Sequence, residues 1–206
     1  MALFVTFEGG EGCGKSTQAR ALYKRVSESG VPVVLSHEPG GTSLGKKARH
    51  YLKQTKDSKI SPLAELFLFA ASRAQLVAEV IRPSLGRDTM VICDRYADST
   101  VAYQGCGRGL DLDVIQAVNT MVTQGLLPDL VILLDLPVEI GLARKRSARK
   151  DRFEREELAF HHRVREGYLK MAAADPERWL VVDATLPKKK VAQIIWERVK
   201  GLLQEE

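Results

Sequence analysis

The chain has 206 residues, 45% of them hydrophobic and 28% charged, which excludes a disordered or fibrous chain and suits one domain with its own core. Thirty-one Lys and Arg against 26 Asp and Glu leave a formal charge of +5, pointing to anionic partners without choosing among nucleotides, nucleic acid and a membrane surface. No apolar run approaches the roughly 20 residues that span a bilayer, residues 1–7 lack the flanks of a signal peptide, and the widely spaced Cys13, Cys93 and Cys106 fit reduced thiols in a cytoplasmic protein.

Residues 3–8 form the first apolar run, and 31–36, 89–94, 130–135 and 179–182 repeat it. Each is nearly continuous instead of alternating, as strands buried on both faces of a parallel sheet are. Helical periods are expected between them, at 15–29, 42–55, 62–85, 111–125, 137–149, 154–174 and 188–204. In the last, Val191, Ile194, Ile195, Val199 and Leu202 recur at spacings of three and four. In the third, Leu63, Phe67, Ala70, Ala74, Val77 and Ile81 are expected to face the core, with Phe69 and Arg73 on another face. The alternation predicts right-handed crossovers and a doubly wound α/β fold, a five-stranded parallel sheet with helices on both faces. Without repeats or a long linker, residues 1–206 read as one domain.

Directly after the first run comes Gly9-Gly10-Glu11-Gly12-Cys13-Gly14-Lys15-Ser16, then Thr17 and a helical segment. Strand, glycine-rich loop and helix start are the setting in which G-x-x-x-x-G-K-[ST] binds phosphate. The glycines let successive N–H groups face one anion, and the helix start adds unpaired donors. Residues 9–17 are expected to cradle the phosphates of a nucleoside triphosphate, with Lys15 reaching the β- and γ-phosphates and the Ser16 hydroxyl ligating Mg²⁺. That cradle serves kinases, GTPases and ATPases alike, so it does not name a reaction. Two strands end in acids suited to Mg²⁺, Asp94 and Asp135. Asp94 is preferred because Arg95 follows it with a phosphate-binding guanidinium, while Asp135 has the alternative of capping the helix near Pro137.

Glu38-Pro39-Gly40-Gly41-Thr42 and the segment from Asp94 to Gly105 follow strands, at the edge where open α/β sheets bind ligands. Together with Phe69-Ala70-Ala71-Ser72-Arg73, Asp94-Arg95-Tyr96, Tyr103-Gln104-Gly105 and Asp151-Arg152-Phe153-Glu154, they stand in the order found in bacterial thymidylate kinases. Over essentially its full length the chain resembles that family of P-loop nucleoside monophosphate kinases. The phosphate loop is superfamily-wide; the Glu-Pro-Gly-Gly and Asp-Arg-Tyr motifs are narrower.

The resemblance implies Mg²⁺-dependent transfer of the ATP γ-phosphoryl group to dTMP, giving dTDP and ADP, by a homodimer. It implies that Phe69 stacks on thymine, that Arg73 and Ser99 or Thr100 hydrogen-bond the base, and that Arg95, helped by Arg49, grips the acceptor phosphate. Tyr103 would pack near C2′ and disfavour a ribose hydroxyl, with Gln104 beside it. Glu11 would face the 3′-hydroxyl, Glu38 and Pro39 would border the acceptor, and residues 183–185 would border the adenine.

Residues 142–153 read as a lid, because Arg144, Lys145, Arg146, Arg149, Lys150 and Arg152 crowd its sequence. The alternatives are a solvated helix face or a nucleic-acid patch. Charge building on a transferring phosphoryl group needs neutralising cations more than a strong base. Arg149, then Arg146 and Arg144, are thus the expected catalytic lid residues, beside Lys15, Arg95 and Asp94. Some family members carry an arginine in the phosphate loop where this chain has Gly12; this chain looks like the other type. A kinase for another small acceptor, a nucleotide switch and a nucleic-acid binder are the competing readings. The switch lacks its N-K-x-D and D-x-x-G motifs, and nucleic-acid binding lacks an aromatic-studded basic strand.

Overall fold

The structure, a computed structural model, describes residues 2–54, 60–145 and 151–204. Its five parallel strands are β1 (Phe4–Glu8), β2 (Val33–His37), β3 (Met90–Asp94), β4 (Leu130–Asp135) and β5 (Trp179–Asp183), in the order β2-β3-β1-β4-β5. The three central strands are buried almost throughout, as their continuous apolar runs require. The edge strands β2 and β5 are only partly buried, and Val181 is 47% exposed. An apolar run alone does not tell an edge strand from a central one.

The helices are α1 (Lys15–Glu28), α2 (Ser43–Gln54), α3 (Pro62–Leu76), α4 (Arg82–Leu85), α5 (Ala97–Thr100), α6 (Leu112–Thr123), α7 (Val138–Arg144), α8 (Leu158–Ala174) and α9 (Lys188–Gln204). On one face of the sheet, Leu22 and Val26 of α1 and Ile195 and Val199 of α9 pack with Phe7, Ile92 and Ile132. On the other, Leu76 and Ile81 meet Phe4 and Val91, while Val164 and Tyr168 of α8 meet Val131 and Leu133. This is the expected doubly wound α/β architecture, and it gathers the loops after β1, β2 and β3 at one edge.

Three local differences bear on the site. The expected helix over 62–85 passes through a widened turn, Val77–Ile81, between α3 and α4. Pro83 has no N–H for the carbonyl four residues back and its ring crowds that carbonyl, which a widened turn relieves. Leu63 and Phe67, expected in the core, are 49% and 54% exposed, whereas Ala70, Val77 and Ile81 are buried as expected; Glu65, Leu66, Arg73 and Leu76 are buried beside them. Apolar residues ring this helix, so their spacing does not choose the face, whereas the partners of Glu65 and Arg73 do. Finally, a widened turn over Val101–Gly107 continues α5 and has no counterpart among the expected helices.

Candidate active site

The loop between β1 and α1 is shaped by close approaches that only glycine permits. A Cβ on Gly9 (φ +136°) would meet the Leu134 carbonyl oxygen at 2.6 Å, and one on Gly12 (φ +69°) would meet that of Gly141 at 2.0 Å. An arginine at position 12 would therefore displace the middle of α7. Gly14 leads into α1, whose first turn carries no acid, leaving the positive end of the helix for an anion. The Lys15 ammonium donates to the carbonyls of Gly9 (2.9 Å) and Gly10 (2.7 Å). Ser16 donates to the Asp94 carboxylate at the end of β3.

A cleft of about 580 Å³ lies over this loop, lined by Lys15, Ser16, Arg49, Asp94, Arg95 and Arg144 among others. Among the described residues no cluster of three or more His, Cys, Asp or Glu could hold a metal ion. A hydroxyl and one carboxylate are nevertheless the kind of set that suits Mg²⁺, which keeps waters and takes the rest of its ligands from substrate phosphates.

Arg95 lines the cleft, with its backbone in the left-handed region at φ +74°. Its NH2 donates to Glu11 Oε1 (2.8 Å) and to the Tyr103 hydroxyl (2.9 Å), which itself donates to Glu11 (2.9 Å). Glu11 Oε2 faces Lys145 at 3.1 Å. Burial works against charge on Glu11, but Arg95, Lys15 and Lys145 more than offset it and hold its carboxyl far below the usual range. Glu8, three residues earlier, behaves in the opposite way. It is fully buried, and desolvation, reinforced by Asp98, pushes its pKa up to about 7.

A second cavity, of about 50 Å³, opens beside the cleft between Phe69, Tyr103 and Phe153. The Phe69 and Phe153 ring centroids are 6.0 Å apart. Pro39, Ser99, Thr100 and Gln104 line the same cavity, which shares Glu11, Glu38, Arg49 and Arg95 with the cleft. Arg49 also donates to the Pro39 carbonyl at 3.0 Å.

The structure thus brings most of the expected residues together, with several differences. Arg73, expected to reach a base, is 1% exposed and backs the cavity instead of lining it. Its guanidinium donates to both Glu38 oxygens (3.0 and 2.6 Å), to Asn119 and to Thr100 (2.6 Å), because a buried cation must satisfy its donors within the protein. Burial pushes the Glu38 carboxyl up, against the pull of Arg73. Gln104 is turned to Glu65 (2.7 Å), and the Ser99 hydroxyl donates to Glu8 (2.6 Å). Asp135 neither caps α7 nor meets the cleft; it forms a two-pronged ion pair with Arg165 at 2.7 and 2.8 Å. Arg144 lines the cleft and donates to the Ala184 carbonyl, in the loop expected beside the adenine. Asp183, which ends β5 just before that loop, accepts from the backbone and hydroxyl of Thr185. Arg146 and Arg149 lie outside the described residues.

Four residues went unassigned in the sequence: Glu8, Lys145, Phe153 and Tyr168. Phe153 stood within a motif that already suggested the lid, and its ring was the available signal. Lys145 stood within the basic run, where nothing set it apart from its neighbours.

The family model described as Thymidylate kinase matches residues 7–195. A thymidylate kinase of Dehalococcoides mccartyi is 52% identical over 204 residues, covering 99% of each chain. One of Thermomicrobium roseum is 49% identical over 206 residues, covering 99% of this chain and 97% of its own. The crystal structure of thymidylate kinase from Ehrlichia chaffeensis superposes with a TM-score of 0.79 at 34% identity, covering 96% of this chain and 98% of its own.

Proposed function

The chain belongs to the thymidylate kinase family, and from that premise we propose how its residues divide the work between donor and acceptor. The reaction is ATP-dependent phosphorylation of dTMP to dTDP, with ADP as the second product. The observation that carries the reading is the shared wall: Glu11, Arg49 and Arg95 line both the cationic cleft and the aromatic cavity. A nucleotide whose base enters the cavity has its phosphate at that wall, pointing at the glycine loop.

On this reading residues 9–17 cradle the ATP phosphates and Lys15 leaves the loop carbonyls for the γ-phosphoryl oxygens. Ser16 and Asp94 hold a Mg²⁺ ion, which when bound neutralises charge on the β- and γ-phosphates. Arg95 and Arg49 grip the acceptor phosphate. Phe69 stacks on thymine, with Phe153 closing the cavity and Ser99 or Thr100 at the base edge. Glu38, Pro39 and Gln104 complete the wall, and Arg73 holds Glu38 and Thr100 in place. Tyr103 and Glu11 stand at the sugar, where Tyr103 leaves no room for a ribose hydroxyl. The acceptor oxygen is already anionic, so cations at the transferring group matter more than a base. Gly12 leaves the loop without an arginine, which assigns that charge to the lid over about 142–153, to Arg149 first and then Arg146 and Arg144.

We also propose one kinase domain over 1–206 acting in the cytoplasm, supported by the free thiols of Cys13, Cys93 and Cys106. A homodimer is proposed through the exposed apolar side chains of α3 and α6, Leu63, Phe67 and Met121; sedimentation of Phe67→Asp against wild type tests it. The reaction is tested by Mg²⁺-dependent ADP release with ATP against dTMP, dUMP, UMP, CMP, AMP and dGMP. Fast turnover with dTMP, slower with dUMP and near zero with ribonucleotides is expected. Comparable rates with UMP would remove the role given to Tyr103.

A further inference from the structure

Glu8 and Tyr168 line neither the cleft nor the aromatic cavity, and none of the roles above uses them. Glu8 ends β1 and is fully buried. Its Oε1 accepts the Tyr96 N–H at 2.7 Å, and its Oε2 accepts the hydroxyls of Ser99 (2.6 Å) and Tyr168 (2.8 Å). Those two hydroxyl oxygens in turn accept from NH1 of Arg95, at 3.2 and 3.3 Å. A hydroxyl carries one proton. The two hydroxyl oxygens also lie 2.9 Å apart, where either can donate to the other; whichever way their protons are shared with Glu8, each oxygen keeps a lone pair for the same guanidinium nitrogen.

One carboxylate therefore holds Arg95 from two directions, through the backbone that follows it and through the hydroxyls beneath its side chain. The backbone has particular need of this. A non-glycine residue keeps a φ of +74° only where its surroundings impose it. The other guanidinium nitrogen is held by Glu11 and Tyr103, so NH1 and NH2 are fixed from opposite sides. Ser99 comes from α5 and Tyr168 from α8, elements that meet only in the folded protein.

We propose that Glu8 and Tyr168 are positioning residues for phosphoryl transfer: the buried carboxylate and phenol set the angle at which the Arg95 guanidinium meets the acceptor phosphate. This rests on the reading of Arg95 as the grip on that phosphate. Neither residue touches the nucleotide; both act through Arg95.

The test is calorimetric affinity for dTMP and for ATP, with melting temperature, of Tyr168→Phe, Arg95→Ala and the double variant. Tyr168→Phe keeps the buried ring and is expected to weaken dTMP roughly tenfold, the scale of one hydrogen bond to a charged group, with ATP affinity unchanged. The double variant is expected to bind dTMP no more weakly than Arg95→Ala, since the effect runs through that residue. A purely structural role would lower the melting temperature without the selective loss of dTMP. Tyr168→Phe binding dTMP within about twofold of wild type, or a loss that adds in full to that of Arg95→Ala, overturns the inference. If Arg95→Ala itself leaves dTMP affinity unchanged, the grip by Arg95 is what fails, and the inference falls with it. Glu8→Gln supplies a second handle, because an amide has one acceptor oxygen and cannot serve both the Tyr96 N–H and the hydroxyls. It is expected to lose more dTMP affinity than Tyr168→Phe, and wild-type affinity would count against the proposal.

Discussion

The cleft over the glycine loop encloses about 580 Å³ within reach of Lys15, Arg49, Arg95 and Arg144, whereas the cavity beside it encloses about 50 Å³ between Phe69, Tyr103 and Phe153. The first is made of backbone donors and long cationic side chains and is roomy. The second is made of rings brought from three separate parts of the chain and is narrow. Glu11 and Glu8 repeat the contrast at the scale of one residue. Glu11 sits among Arg95, Lys15 and Lys145 and is held ionised, while Glu8 is buried in the core, where desolvation, against the pull of its hydroxyl partners, pushes its pKa up to about 7. A site that handles charge is built from fields and tolerates space; a site that recognises a ring is built from contact and does not.

The largest effect is expected in the cleft. Lys15→Met should lower kcat by roughly 10³-fold or more, because it removes a cation from the group whose charge is developing; a loss under about tenfold would break the comparison on the charged side. Arg149→Ala should leave nucleotide binding nearly intact and lower single-turnover rates by about 10²- to 10³-fold. An unchanged rate would move that role to Arg146. The aromatic side should respond differently. Phe69→Ala should raise KM for dTMP about tenfold, the scale of one base stacked on a ring, and leave KM for ATP alone.

The smallest effect is the pH dependence of stability, where the two carboxylates should act in opposite senses. Glu11 has its folded pKa below the ordinary 4.5, so its contribution is present above that pH and is lost as the solution is acidified. Glu8 is raised from 4.5 to about 7, so its contribution is full below pH 4.5 and declines as the pH climbs to about 7. Denaturant unfolding from about pH 2 to 8 should show Glu11→Gln flattening the acid side and Glu8→Gln flattening the neutral side. The same slope in both variants would erase the distinction between the two sites.

What could be read from the sequence follows the same division. The strands were legible because their runs are continuous, and the phosphate cradle because its parts are adjacent in the chain. Asp94 was legible as the acid ending a strand beside Arg95. Arg73 was legible as a residue type but not in direction: its partner Glu38 lies 35 positions away, and only the folded helix turns it inward. Glu8 was silent because its meaning comes from Tyr168, 160 positions on. The run between Arg144 and Arg152 is legible as a cluster of cations, yet which of its arginines would serve the proposed lid is a matter of register that composition does not carry.

The most direct test of the two-site account is a crystal structure with dTMP, Mg²⁺ and a non-hydrolysable ATP analogue bound together. The account predicts the pyrimidine against Phe69 in a widened cavity, its phosphate held by Arg95 and Arg49, and the γ-phosphate of the analogue at Lys15. A dTMP phosphate bound away from Arg95, or a base outside the cavity of Phe69 and Phe153, would contradict it.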